Sequence, residues 1–178
     1  LYWEEIFKRA KKSGVYVYFE ASVGGGIPVI QAMKNGLPAN RIEALYGIIN
    51  GTTNYILSKM LEKKVTFQEA LKNAQERGYA EANPAFDIGG QDSAQKLIIL
   101  SRLSFMRSLD IKDICVEGIE DITHKDIEYA YEEFGYVTKL LGIAVRRGRA
   151  LDIRVHPCLI PKGHQLAAVN NVYNAIYL

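Results

Sequence analysis

Apolar positions change period several times along this chain, and each change marks an element. In residues 1–13, Ile6, Phe7 and Ala10 fall on one side and Glu4, Lys8 and Lys11 on the other, which is helical spacing. Gly14 follows as a helix-ending glycine. Residues 15–22, VYVYFEAS, are aromatic and β-branched and predict a strand. VGGGIP then breaks regular structure, and Pro28 suits the first turn of a helix that runs to Gly36. Residues 41–50, RIEALYGIIN, predict a second strand. GTTNYILSKMLEKK predicts a helix with threonine caps, its apolar side built from Ile56, Leu57, Met60 and Leu61. Thr66 and Glu69 have capping-box spacing for a helix from Phe67 to Arg77, which Gly78 ends. Residues 79–90 predict a loop. A further helix starts near Asp92 and carries Lys96, Ile99, Leu100 and Leu103.

Beyond Leu109 the pattern alternates again. DICVEGI predicts a strand, and THKDIEYAYEEFG a helix capped by Thr123. Residues 136–160 predict a β-hairpin turning at RRGRA, and AAVNNVYNAIYL a closing strand. There is no internal repeat and no low-complexity tract. This order predicts an α+β fold: an open mixed or antiparallel sheet with helices covering one face.

Composition narrows the class. The chain has 178 residues and 48% hydrophobic content, enough for one good core. Net charge is only +2, and the basic residues are scattered rather than striped, so no nucleic-acid footprint is expected. No apolar run approaches the ~20 residues that span a bilayer. No basic segment leads into an apolar one at the start, so no secretory signal is read, and a cytoplasmic location with no membrane partner is expected. Cys115 and Cys158 sit in apolar strand-like runs and are expected to be small buried hydrophobes. His124, His156 and His164 are far apart in sequence and are expected to be structural or at the surface. The chain opens at Leu1 in a helical pattern and stops inside an apolar run, so it is expected to be a piece of a longer protein.

Candidate chemistry gathers in GYAEANPAFDIGGQDSAQK, residues 78–96. It places Glu81, Asp87 and Asp92 around Lys96, beside the apolar run LIIL. Asp92 and Lys96 are four residues apart and face one side of a helix. A surface ion pair would look the same, but a lysine on so apolar a helix, held by a carboxylate beside a glycine-rich loop, suits a proton donor. Glu81 and Asp87 could take a substrate ammonium. Gly51 and Thr52 open a helix, where free N–H groups suit an anion such as a substrate carboxylate; simple capping is the alternative. SVGGGIP does not satisfy a dinucleotide fingerprint, because Val29 stands where its last glycine belongs. It could be a tight strand-to-helix connection, or a loop whose carbonyls ring a monovalent cation near Glu20.

EASVGGGIP, GIINGTTNYIL, FQEALKNAQERGYAEANPAFDIGGQDSAQKLIIL and VEGIEDI together resemble homoserine dehydrogenase, in order and spacing, over nearly the whole chain. The resemblance implies NAD- or NADP-dependent interconversion of L-aspartate 4-semialdehyde and L-homoserine, on the way to threonine, methionine and isoleucine. It implies that residues 1–21 end a nucleotide-binding domain and residues 22–178 form the substrate-binding, catalytic and dimerisation domain of a homodimer. The family's proton-donating lysine falls on Lys96, with Asp92 orienting it. Its substrate contacts fall on Glu81 and Asp92, with Asp87, Thr52 and Tyr79 beside them. Gly78 falls where the family's chain approaches the cofactor. Glu20, Val23, Gly25 and Ile27 match a sodium-binding loop that uses mostly main-chain oxygens. Asn83 departs from the aspartate of many members. The phosphate-binding glycine motif, a second active-site lysine and a later glycine-rich segment are not found between Leu1 and Leu178, so the chain alone is expected to be inactive. A non-catalytic dimerisation or ligand-binding module of a larger protein is the alternative.

Overall fold

The computed structural model describes residues 2–178; Leu1, placed by the sequence in the first helix, lies outside the described residues. The first helix, α1 (Trp3–Lys12), carries Trp3 and Phe7 on one side. Their rings stack at 4.5 Å, and Trp3 meets Phe19 edge-on at 5.7 Å. A short α2 (Val29–Gln31) runs directly into one π-helical turn, Ala32–Gly36, and buries Val29, Ile30 and Met33. β1 (Ala44–Ile48) leads into α3 (Gly51–Lys63). α4 (Phe67–Glu76) starts at the expected capping box, with Thr66 Oγ1 accepting from Glu69 N and the Glu69 carboxylate accepting from Thr66 N. α5 (Ala85–Ile88) is one turn inside the predicted loop, and α6 (Gln91–Phe105) follows at once. β2 (Cys115–Val116), α7 (His124–Glu132), β3 (Tyr136–Arg147), β4 (Ala150–Pro161) and β5 (Ala175–Tyr177) complete the chain.

The five strands form one open sheet in the order β2-β4-β3-β1-β5. All pairs are antiparallel except β2 with β4, so the sheet is mixed. Alternation along the strands divides its two faces. One face buries Leu45, Leu140, Ala144, Ile153 and Val155 against the helices, with Leu97 and Leu100 of α6 in the same core. A glycine at 142 makes room for Ile49, since a Cβ there would stand 3.0 Å from Ile49 Cδ1. The other face carries Ile48, Val137, Leu141, Ile143 and Ile160, packed with Leu166 and Ala167 of the chain's later segment.

Several expected elements change. Residues 15–22 are not a strand: they have no pairing neighbour, and Tyr16 and Tyr18 stand 86% and 89% exposed. β-Propensity describes fit to a sheet, and a strand still needs a partner for its N–H and C=O groups. The strand expected at 113–119 shrinks to two residues behind a 3-10 turn, Ile111–Asp113. The closing strand is likewise short, preceded by a 3-10 turn at Gln165–Ala168. Asn50, not a threonine, caps α3. Cys115 is exposed on the edge strand rather than buried. Cys158 is half-buried, and burial pushes its thiol up to about 11. Two of the histidines are structural: His164 Nδ1 accepts from Leu166 N to start a 3-10 turn, and His156 Nε2 accepts from Arg154, while His124 is half-buried at the start of α7. Among the described residues, no helix is long and apolar enough to cross a membrane.

Candidate active site

The apolar residues of α6 decide which way its polar ones face. Leu97 and Leu100 are fully buried, which turns Asp92 and Lys96 to the rim of the core. Their side chains keep 21% and 28% of their exposure and form an ion pair, Lys96 Nζ to Asp92 Oδ2, at 2.7 Å. Asp92 lies in the first turn of α6, where the free N–H groups favour a carboxylate.

Asn50 connects this pair to the next element. Its Nδ2 donates to Asp87 Oδ1 at 2.7 Å and to Asp92 Oδ2 at 2.8 Å, while its Oδ1 accepts from Thr53 N at 2.8 Å. The acceptor needed by Thr53 N fixes which way the amide points. One buried amide thus caps α3 and spaces two carboxylates, one on α5 and one on α6. The next residue, Gly51, is required by close approach, because a Cβ there would stand 2.8 Å from Val172 O.

Thr52 and Tyr79 are brought together: Thr52 Oγ1 donates to Tyr79 O at 2.6 Å. Tyr79 stacks edge-on against Tyr55 at 4.9 Å and is 41% exposed. Gly78, at φ +74, ends the preceding helix, and the space where a Cβ would stand is open. Glu81 is exposed, and among the described residues only its main-chain oxygen is bonded, by Gln75 Nε2 at 3.1 Å. The structure therefore joins Asp92 and Lys96 directly, and Asp87 to them through Asn50, but leaves the Glu81 carboxylate outside that network.

The glycine loop forms a separate feature. The Glu20 carboxylate accepts from Ile30 N at 3.1 Å and Gln31 N at 2.9 Å, at the start of α2. Gly24 and Gly25 have φ of +79 and +56, and Ile27 O accepts from Val29 N at 2.7 Å. Val23 is fully buried. A cleft of about 620 Å³ lies here, lined by Tyr16–Glu20, Ile30, Gln31, Lys34 and Asn35 rather than by Lys96.

Asn50 escaped the sequence reading, although asparagine is among the best N-cap residues and stands directly before the quoted GTT. Lys139 also escaped it. This lysine is 1% exposed in the middle of β3. Its Nζ donates to Asn54 Oδ1 at 3.0 Å, Val169 O at 2.6 Å and Asn170 Oδ1 at 2.9 Å.

Comparison with known proteins identifies a family. A family model described as homoserine dehydrogenase matches residues 28–178. The homoserine dehydrogenase of Bacillus subtilis is 46% identical over 178 residues, covering 100% of this chain and 41% of that protein. That of Pseudomonas aeruginosa is 51% identical over 172 residues, covering 97% of this chain and 39% of that protein. The crystal structure of a homoserine dehydrogenase from Thiobacillus denitrificans superposes with a TM-score of 0.94 at 51% identity, covering 98% of this chain and 40% of that one. The chain thus spans about two fifths of the length of these relatives.

Proposed function

The chain belongs to the homoserine dehydrogenase family, and we propose that residues 22–178 form its substrate-binding, catalytic and dimerisation domain, residues 1–21 being the end of a nucleotide-binding domain. The reaction proposed is the NAD- or NADP-dependent interconversion of L-aspartate 4-semialdehyde and L-homoserine, in the cytoplasm, on the route to threonine, methionine and isoleucine. The observation that carries this reading is the Asp92–Lys96 pair at 2.7 Å, set on the rim of a helix whose other side is core.

When bound, the nicotinamide supplies or takes the hydride at the substrate carbon. The residues present suit it at one point: Gly78, with open space around its Cα, leaves the main chain accessible. Lys96 Nζ gives a proton to the substrate oxygen as the aldehyde is reduced, and takes it back in oxidation. Asp92 orients that ammonium. Asp87 and the exposed Glu81 meet the substrate ammonium, and the N-terminus of α3 at Gly51 and Thr52 meets its carboxylate. Glu20 and the main-chain oxygens of Val23, Gly25 and Ile27 offer hard oxygen donors that suit sodium. The sheet face opposite the helices, with Tyr46 and Tyr177 at its partly exposed end, is the proposed homodimer surface.

The test is a pair of pH–rate profiles on the full-length protein, wild type and Lys96→Ala. Loss of a general acid lowers kcat by about 10²–10⁴-fold, with a smaller change in KM. Homoserine oxidation in the wild type speeds up toward alkaline pH, because the lysine must first shed its proton. If that alkaline limb survives unchanged in Lys96→Ala, the assignment of the proton donor is wrong.

A further inference from the structure

We infer that Asn50 is the positioning residue of this site: its amide divides Asp87 from Asp92 and thereby sets the place and charge balance of Lys96. The inference rests on the reading of Lys96 as proton donor. Asn50 is buried, 4% exposed, and the three hydrogen bonds of its side chain are 2.7–2.8 Å long. Both hydrogens of Nδ2 are used, one on each carboxylate. The oxygen it touches on Asp92 is Oδ2, the same oxygen that holds Lys96 Nζ. Without this donor, Asp87 and Asp92 would face each other as like charges, and Lys96 would be drawn between them. With it, each carboxylate has a fixed neutral partner, and one oxygen of Asp92 presents the ammonium outward.

Charged groups on the elements around α6 have partners of their own or stand in solvent: Arg146 of β3 lies over the Phe105 ring of α6, Arg147 pairs with Asp152 at 3.9 Å, and Lys112 is exposed. Lys139 is bonded to Asn54 and Asn170, Asp152 and His156 to Arg154, and Asp113 caps the turn at Asp110, while Lys34 lies over the Phe19 ring. Asp87 of α5 is the charged group that reaches the pair through Asn50.

Two variants keep the helix cap and change only the donors, since Ser and Asp cap about as well as Asn. Asn50→Ser removes both N–H bonds. It is expected to lower kcat by about ten- to a hundredfold with little change in KM for homoserine, and to lower the melting temperature as well, because two carboxylates lose a charge-assisted partner in the folded state. Asn50→Asp replaces the donor by a third carboxylate within about 6 Å of Lys96, and is expected to move the alkaline limb of homoserine oxidation upward by about one pH unit. The Lys96 ammonium, followed by nitrogen NMR in the full-length protein, should move the same way. If Asn50→Ser keeps its melting temperature, its kcat and its pH limb, Asn50 only caps α3 and the inference falls. It falls equally if the NMR titration of Lys96 is unmoved in Asn50→Asp. A Lys96 titration that moves while the pH–rate limb does not would instead uphold the role of Asn50 and overturn the proton-donor reading.

Discussion

Alkaline pH is expected to strengthen this fold through one side chain. Lys139 lies in mid-β3 at 1% exposure. Burial lowers its pKa from 10.5 to about 8, opposed weakly by Glu62. Its three acceptors, Asn54 Oδ1, Val169 O and Asn170 Oδ1, are all neutral. Below the folded value both states hold the proton, and the buried charge is a constant cost. Between about 8 and 10.5 the unfolded chain keeps a proton that the folded chain has lost, so stability rises with pH. Above 10.5 the cost is gone. At ~1.36 kcal/mol per pKa unit the full rise is about 3 kcal/mol.

Replacing the lysine separates this effect from every other titration. Lys139→Met removes the buried charge, which near pH 7 returns about 3 kcal/mol. It also strands Asn54 Oδ1 and Asn170 Oδ1, at about 1–3 kcal/mol each. Val169 O keeps a donor, Asn54 Nδ2 at 3.1 Å. Near neutral pH the two effects largely offset, and the variant stays within about 3 kcal/mol of wild type. At about pH 10.5 the wild type no longer carries the buried charge, so the gap should widen against the variant by about 3 kcal/mol. Urea titrations of both proteins at the two pH values measure this. Cys158, the tyrosines and the other lysines titrate in both proteins and cancel in the difference. A gap that stays the same within about 0.5 kcal/mol would show that Lys139 is not buried as a charged group.

Three further outcomes are expected. Glu81→Ala should mainly raise KM for homoserine, because an ammonium contact is equally present in ground and transition states, whereas Asp92→Ala should lower kcat as a milder form of Lys96→Ala; steady-state kinetics with the reverse pattern would exchange their roles. Gly118→Ala should destabilise the protein by about 1–3 kcal/mol or more, since its Cβ would stand 2.4 Å from Ile88 O and 2.8 Å from Gly89 Cα; a melting temperature equal to wild type would refute it. The chain should sediment as a dimer at micromolar concentration, and Tyr46→Glu on the outer sheet face should weaken that dimer; a wild-type monomer would count against that face as the interface.

Local patterns carried most of the helices and, of the strand pairing, the β3–β4 hairpin alone. The capping boxes at Thr66 and Thr123 are complete within three residues, so the helices behind them were readable without any tertiary contact. The hairpin of β3 and β4 was readable for the same reason, its strands being joined by a short turn at Gly148. Residues 15–22 and 113–119 have the composition of strands, but composition cannot supply a neighbour. The first of them found none, and the second paired only at Cys115 and Val116. The site divides along the same line. Asp92 and Lys96 could be paired from sequence because four residues on a helix bring any two side chains together. Asn50 meets partners 37 and 42 residues away, and that contact exists only once the start of α3 meets the corner between α5 and α6. A carboxylate can be counted in a sequence; the neutral amide that keeps two of them apart becomes visible only where the chain closes on itself.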